Sequence, residues 1–177
     1  MPPFATLLPL LRDILFLRRG PQDLPYSPAL LALLIGATLA VYAALSANLE
    51  RVQLPRGAFS LLLQLGLTWT ALNVADKSPR FVQTATALVG ASIVLTLLAI
   101  PGYFGVDSLA EAPKELTQTQ ALAIMFLLLF QVWDIAITAH ILRHALELKL
   151  RFGVLIAIVF LAVDAIASGV VFERAAT

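Results

Sequence analysis

Five stretches of this chain are each long enough and apolar enough to cross a lipid bilayer. They are residues 28–48, 57–75, 81–100, 120–142 and 152–172, and together they take up most of the 177 residues. A helix rises about 1.5 Å per residue and the hydrocarbon core is about 30 Å thick, so about 20 apolar residues span it. Backbone amides have no water to bond there, so each stretch must close its hydrogen bonds internally as a helix. The pattern therefore predicts an all-α, polytopic membrane bundle of five transmembrane helices, residues 28–172. A segment of 27 residues precedes it and a tail of five follows it.

Apolar residues make up 60% of the chain and charged residues 13%, against about 45–50% and 25% in soluble domains. The mean hydropathy of +0.90 agrees. No loop is long enough to bury a soluble core of its own. A net charge of +1, with no basic run interleaved with aromatics, argues against nucleic acid as a partner. The absence of cysteine removes disulfides, thiolate nucleophiles and cysteine-ligated metals.

The N-terminal segment lacks the form of a signal peptide, because Arg12 and Asp13 interrupt its apolar run and no small-residue cleavage site follows. Leu7, Leu8, Leu11, Ile14 and Leu15 fall on one helical face. The spacing predicts an interfacial helix over residues 8–19, lying on the membrane and stopped by Gly20 and Pro21. Arg12, Arg18 and Arg19 would meet anionic headgroups.

Eight of the twelve Lys and Arg residues fall on the side that carries the N-terminus: Arg12, Arg18, Arg19, Lys77, Arg80, Arg143, Lys149 and Arg151. The positive-inside rule makes that side cytoplasmic and the C-terminus external, in an inner or plasma membrane. Ser27-Pro28 and Thr117 with Gln120 have the spacing of helix starts. Pro101-Gly102 is expected to end the third span, leaving a loop over residues 101–119. Three stripes of small residues (Gly36, Ala40, Ala44 and Ala47; Ala87 and Ala91; Ala165 and Gly169) suit close helix packing within the chain.

Polar residues at membrane depth are costly, so their placement carries information. The fourth span has Gln131, Asp134 and Thr138 on one stripe, the fifth has Asp164 and Ser168, and the second has Ser60, Gln64, Thr68 and Asn73. Asp134 and Asp164 fall about 12 and 18 Å from the cytoplasmic span ends. No Lys or Arg lies at that depth. The aspartates, with Gln131, Thr138, Ser168 and Gln64, either form a proton or cation relay along a polar cavity or join the helices by hydrogen bonds. Whether they face a water-accessible cavity or a dry helix interface separates the two.

His140, His144 and Glu147 stand at i, i+4 and i+7, a spacing that suits zinc or iron on one helical face. Three ligands at a headgroup boundary are more easily solvated than closed, so no metal and no cofactor is expected. Nucleophile elbows, phosphate loops and HExxH motifs are absent. Gly90, Ala91 and Ser92 have no histidine at matching depth to act as a base.

The segment 17–25 (Leu-Arg-Arg-Gly-Pro-Gln-Asp-Leu-Pro), followed by five spans, resembles bacterial members of the Yip family of multispanning membrane proteins. The stretch 133–160, with its tryptophan, polar turn and apolar fifth span, adds to the likeness. The resemblance implies the five-span topology and supplies no catalytic residues. Eukaryotic members interact with small GTPases and vesicle machinery; this chain is shorter, with almost no soluble N-terminal domain.

The sequence thus leads to a non-enzymatic interaction or scaffold subunit. Its partners would be the lipid bilayer and other membrane proteins or further copies of itself. A small proton- or ion-coupled transporter or channel subunit using Asp134 and Asp164 is the alternative.

Overall fold

A computed structural model describes residues 3–49, 53–107 and 116–173. The described residues form six α-helices: α1 (Pro3–Leu15), α2 (Pro28–Ser46), α3 (Leu54–Val74), α4 (Phe81–Asp107), α5 (Gln118–Leu146) and α6 (Leu150–Ser168). A π-helical turn, Gly169–Glu173, extends α6. No strand occurs among the described residues. Helices α2 to α6 are each long and apolar enough to cross a membrane.

Large apolar side chains cover the outside of the bundle, among them Leu62, Leu122, Met125, Leu129, Val132 and Ile166. Water would not tolerate an apolar surface so extensive, whereas lipid covers it at no cost. The chain is a multi-pass membrane protein.

Helix α4 packs against α2, α3 and α5, while α6 closes the bundle against α5 and α3. Helix starts follow the sequence. Ser27 Oγ accepts from the Leu30 amide at 3.2 Å, with Pro28 in the first turn. At α5, Thr117 Oγ accepts from the Gln120 amide, and Gln120 Oε1 accepts from the Thr117 amide at 3.0 Å. That is a complete capping box.

Three expectations are corrected. Pro101 does not end the third span, since α4 continues through it to Asp107. The missing amide and the ring clash cost a helix interior about 3 kcal/mol, and here packing on α5 supports the extension. Gly102 lies where a Cβ would come within 2.7 Å of Leu127, and a Cβ on Gly105 would come within 2.5 Å of the Ala123 Cβ. The two backbones approach that closely because glycine leaves room. The rest of the expected loop, 108–115, lies outside the described residues.

The N-terminal helix also differs from expectation. It spans Pro3–Leu15, so Arg18 and Arg19 follow it rather than end it. Leu17 takes a left-handed conformation (φ 59°), and the Arg18 amide donates to the Asp13 carbonyl at 2.8 Å, which closes the helix. Its apolar face is packed on protein instead of lipid. Leu7, Leu11, Ile14 and Leu15 join one core with Ala87, Leu88 and Ala91 of α4 and with Ile137 and Ile141 of α5. Leu11 seats over Gly90, where a Cβ would lie 2.7 Å from it. Below it, Gln83 Nε2 donates to the Leu24 carbonyl at 2.6 Å.

The small-residue stripes divide. Ala87 and Ala91 are buried as expected, but Gly36, Ala40, Ala44 and Ala47 on α2 are exposed and make no tight contact within the chain. Ala165 is exposed as well.

Candidate functional site: an acidic intramembrane cavity

A cavity of about 530 Å³ lies inside the bundle, lined by all five membrane-spanning helices. Helices α3 and α5 face each other across it without extensive direct packing. Asp134, Gln131 and Thr138 come to it from α5, Asp164 from α6 and Gln64 from α3. Both intramembrane aspartates therefore line one cavity rather than a dry helix interface. Ser168 does not join them; it is buried elsewhere, and its hydroxyl has no hydrogen-bond partner among the described residues.

Helix length explains the convergence. Because α5 continues to Leu146, Asp134 lies about 18 Å from its end. Asp164 lies about 21 Å from Leu150, the start of α6. The two carboxyl groups thus reach similar depths on adjacent antiparallel helices.

Charge and hydrogen bonding set this cavity apart from ordinary packing. The ion pairs among the described residues join Arg12 and Arg19 to Asp13, and Lys77 and Arg80 to Glu147. None involves Asp134 or Asp164. Oδ1 of Asp164 is shielded from solvent and has no hydrogen-bond partner among the described residues. A buried polar oxygen left without a partner costs about 1–3 kcal/mol. Gln131 remains accessible on the cavity wall. By contrast, the buried threonines away from the cavity satisfy themselves: Thr38, Thr68, Thr84 and Thr86 each donate to the carbonyl four residues earlier. Such bonds absorb a hydroxyl without any ligand.

Two further polar residues line the cavity that were not singled out from sequence, Tyr42 of α2 and Thr96 of α4, and Ser92 of α4, considered there only as a nucleophile, lines it with them. The Tyr42 hydroxyl lies beside Thr96 and Ser92 and within electrostatic reach of both aspartates. Its ring rests on Gly57, where a Cβ would come within 2.7 Å of it. The signal was present in the sequence. Ser92 and Thr96 stand at i and i+4 on one helical face. Tyr103 also lines the cavity, reached only because α4 passes through Pro101.

The other candidate residues go elsewhere. His140 is buried and donates Nε2–H to the Arg19 carbonyl at 3.0 Å, which fixes its tautomer. Arg143 donates to His144 Nε2 at 3.3 Å. Glu147 takes a left-handed conformation (φ 57°) beyond the end of α5 and pairs with Lys77 and Arg80. Each expected ligand is thus engaged, and no group of three metal-ligating side chains is gathered among the described residues. The structure brings the His140 and His144 rings together, with centroids 4.6 Å apart, and turns Glu147 away from them to Lys77 and Arg80. Of the arginines placed at headgroups, Arg12 and Arg19 pair with Asp13, and Arg18 lies over the Phe16 ring at 6.0 Å.

Fold and site define a polytopic membrane protein with an acidic cavity at mid-span. No family model, no curated protein and no solved structure matches this chain.

Proposed function

We propose that the protein binds and passes a cationic solute through the membrane, with Asp134 and Asp164 as its charge-bearing ligands. One observation carries this reading: both aspartates line one cavity, and among the described residues no basic side chain pairs with them. Carboxyl groups that served only to join helices would be expected to bond across an interface. An intramembrane acid that instead faces open space marks a pathway or a ligand. Gln64, Gln131 and Tyr42 supply neutral polar contacts around the pair. The role needs binding and movement, not covalent chemistry.

The basic residues beside the N-terminal segment support an N-inside orientation in a cytoplasmic membrane. The likeness to Yip proteins supports the five-span topology and supplies no ligand chemistry. A scaffold role draws support from a different observation, the exposed stripe of Gly36, Ala40 and Ala44 on α2, against which a second membrane helix could pack closely.

The test uses proteoliposomes challenged with a panel of inorganic and organic cations, with stability measured alongside. Asp134→Asn and Asp164→Asn should keep the melting temperature and lose cation-driven flux. Asn variants that match the unaltered protein in flux, combined with Asp→Leu variants that only destabilise, would return the aspartates to a structural role.

A further inference from the structure

The cavity is far larger than an inorganic cation needs. At about 530 Å³ it falls within the range of sites for small organic ligands, about 300–1,000 Å³. A bare divalent ion would need several acid or imidazole ligands at close range, and the described residues gather no such group. The walls instead combine two surfaces. The carboxyl groups, with Gln64 and Gln131, form an acidic, hydrogen-bonding patch. Phe130, Phe160, Leu95, Leu161 and the Tyr42 and Tyr103 rings form an apolar and aromatic remainder.

Resting on the proposed cation-binding role, we infer that the ligand is an amphiphilic ammonium, a protonated primary or secondary amine carried on an apolar body. Each part of such a molecule answers a feature of the cavity. The ammonium brings the positive charge that no Lys or Arg supplies. Its N–H groups donate to the carboxyl groups of Asp134 and Asp164 that line the cavity, in the charge-assisted form that is the stronger kind of hydrogen bond. The aromatic faces attract the cation through their quadrupoles and cover its hydrocarbon part. A quaternary cation satisfies the charge and offers the carboxylates no N–H donor. A neutral molecule of the same shape satisfies neither. A free amine and an aminophospholipid headgroup share this ammonium chemistry.

The test measures equilibrium binding of radiolabelled phenethylamine to the full chain in phosphatidylcholine nanodiscs. Binding should be saturable, displaced by unlabelled amine, and unaffected by 2-phenylethanol, sodium or magnesium. Asp164→Asn should weaken it about tenfold or more, the equivalent of losing one charge-assisted bond. Comparing amine with alcohol on the unaltered chain keeps the result independent of how any variant folds. Adding phosphatidylethanolamine separates the two sources: suppressed amine binding identifies the lipid headgroup, and unchanged binding identifies a free amine. Equal binding of the alcohol and the amine overturns the inference. Displacement by sodium or magnesium with the amine inert also overturns it, while the acidic-cavity reading stands. Failure of every cation to bind overturns both.

Discussion

Trp133 donates its indole N–H to the Leu15 carbonyl at 3.1 Å, which ties the end of α1 to α5 one residue before Asp134. The ring also contacts Phe16 and Phe130, with centroids 6.0 and 6.2 Å away. The N-terminal segment is therefore part of the wall that holds the acidic helix in place.

Trp133→Phe keeps an aromatic ring there and removes the donor, orphaning the Leu15 carbonyl. The expected cost is about 1–2 kcal/mol, read as a lower melting temperature and faster proteolysis between α1 and α2. An unchanged melting temperature with unchanged proteolysis would mean that the apolar contacts of Leu11 and Ile14 hold the segment unaided.

Gly57→Ala tests the support beneath Tyr42. The added methyl would sit 2.7 Å from the ring, too close for either to remain in place. The tyrosine should be pushed from its position beside Thr96, with destabilisation of about 1–3 kcal/mol. Ala at this position with full stability would show that the ring moves aside freely.

Glu147 gives a pH dependence of known sign. Hydrogen bonds from Lys77, and then from Arg80, hold its carboxyl below its ordinary value of 4.5. Its folded state binds the proton less readily than its unfolded state. The contribution to stability is therefore present above that ordinary value and fades as pH falls through the lower, folded one. The site is exposed, so salt should weaken the contribution too. Melting curves of the unaltered protein and Glu147→Gln should differ slightly at neutral pH and converge in acid. A gap that stays constant with pH would contradict the pairing.

Orientation can be read with reporters active only outside the cytoplasm. A fusion at Thr177 should be active and one after Lys77 inactive. The reverse pattern would overturn the N-inside assignment, and two active fusions would contradict the number of spans.

The spans and their caps were legible in the sequence because length, hydropathy and cap spacing are local properties. Ser27, Thr117 and Gln120 show this directly. What depends on contacts between helices was harder to read. Pro101 looks like a terminator until the facing Leu127 and Ala123 are known. The apolar face of α1 has the same pattern whether it meets lipid or the groove around Gly90. The pairing of Glu147 with Lys77 and Arg80 crosses about seventy residues of sequence, so helical spacing, which relates the glutamate only to His140 and His144, does not reveal it. The acidic pair was found because polar groups at membrane depth are rare. Tyr42 and Thr96 escaped notice, and Ser92 was considered only as a nucleophile, because each also has an ordinary place in a membrane helix.

The chain has no cysteine, so a single introduced thiol reports its own surroundings. The central claim, an acidic cavity that water and cations enter, is tested most directly by placing that thiol at Gln131 on the cavity wall. The control is Val132, a residue 64% exposed on the apolar outside of the bundle. In membranes, Gln131→Cys should react with a cationic methanethiosulfonate, and faster than with an anionic one, because the neighbouring carboxyl groups concentrate positive charge. Val132→Cys should react with neither. If Gln131→Cys is as inert as Val132→Cys, or prefers the anionic reagent, the acidic cavity does not exist as described.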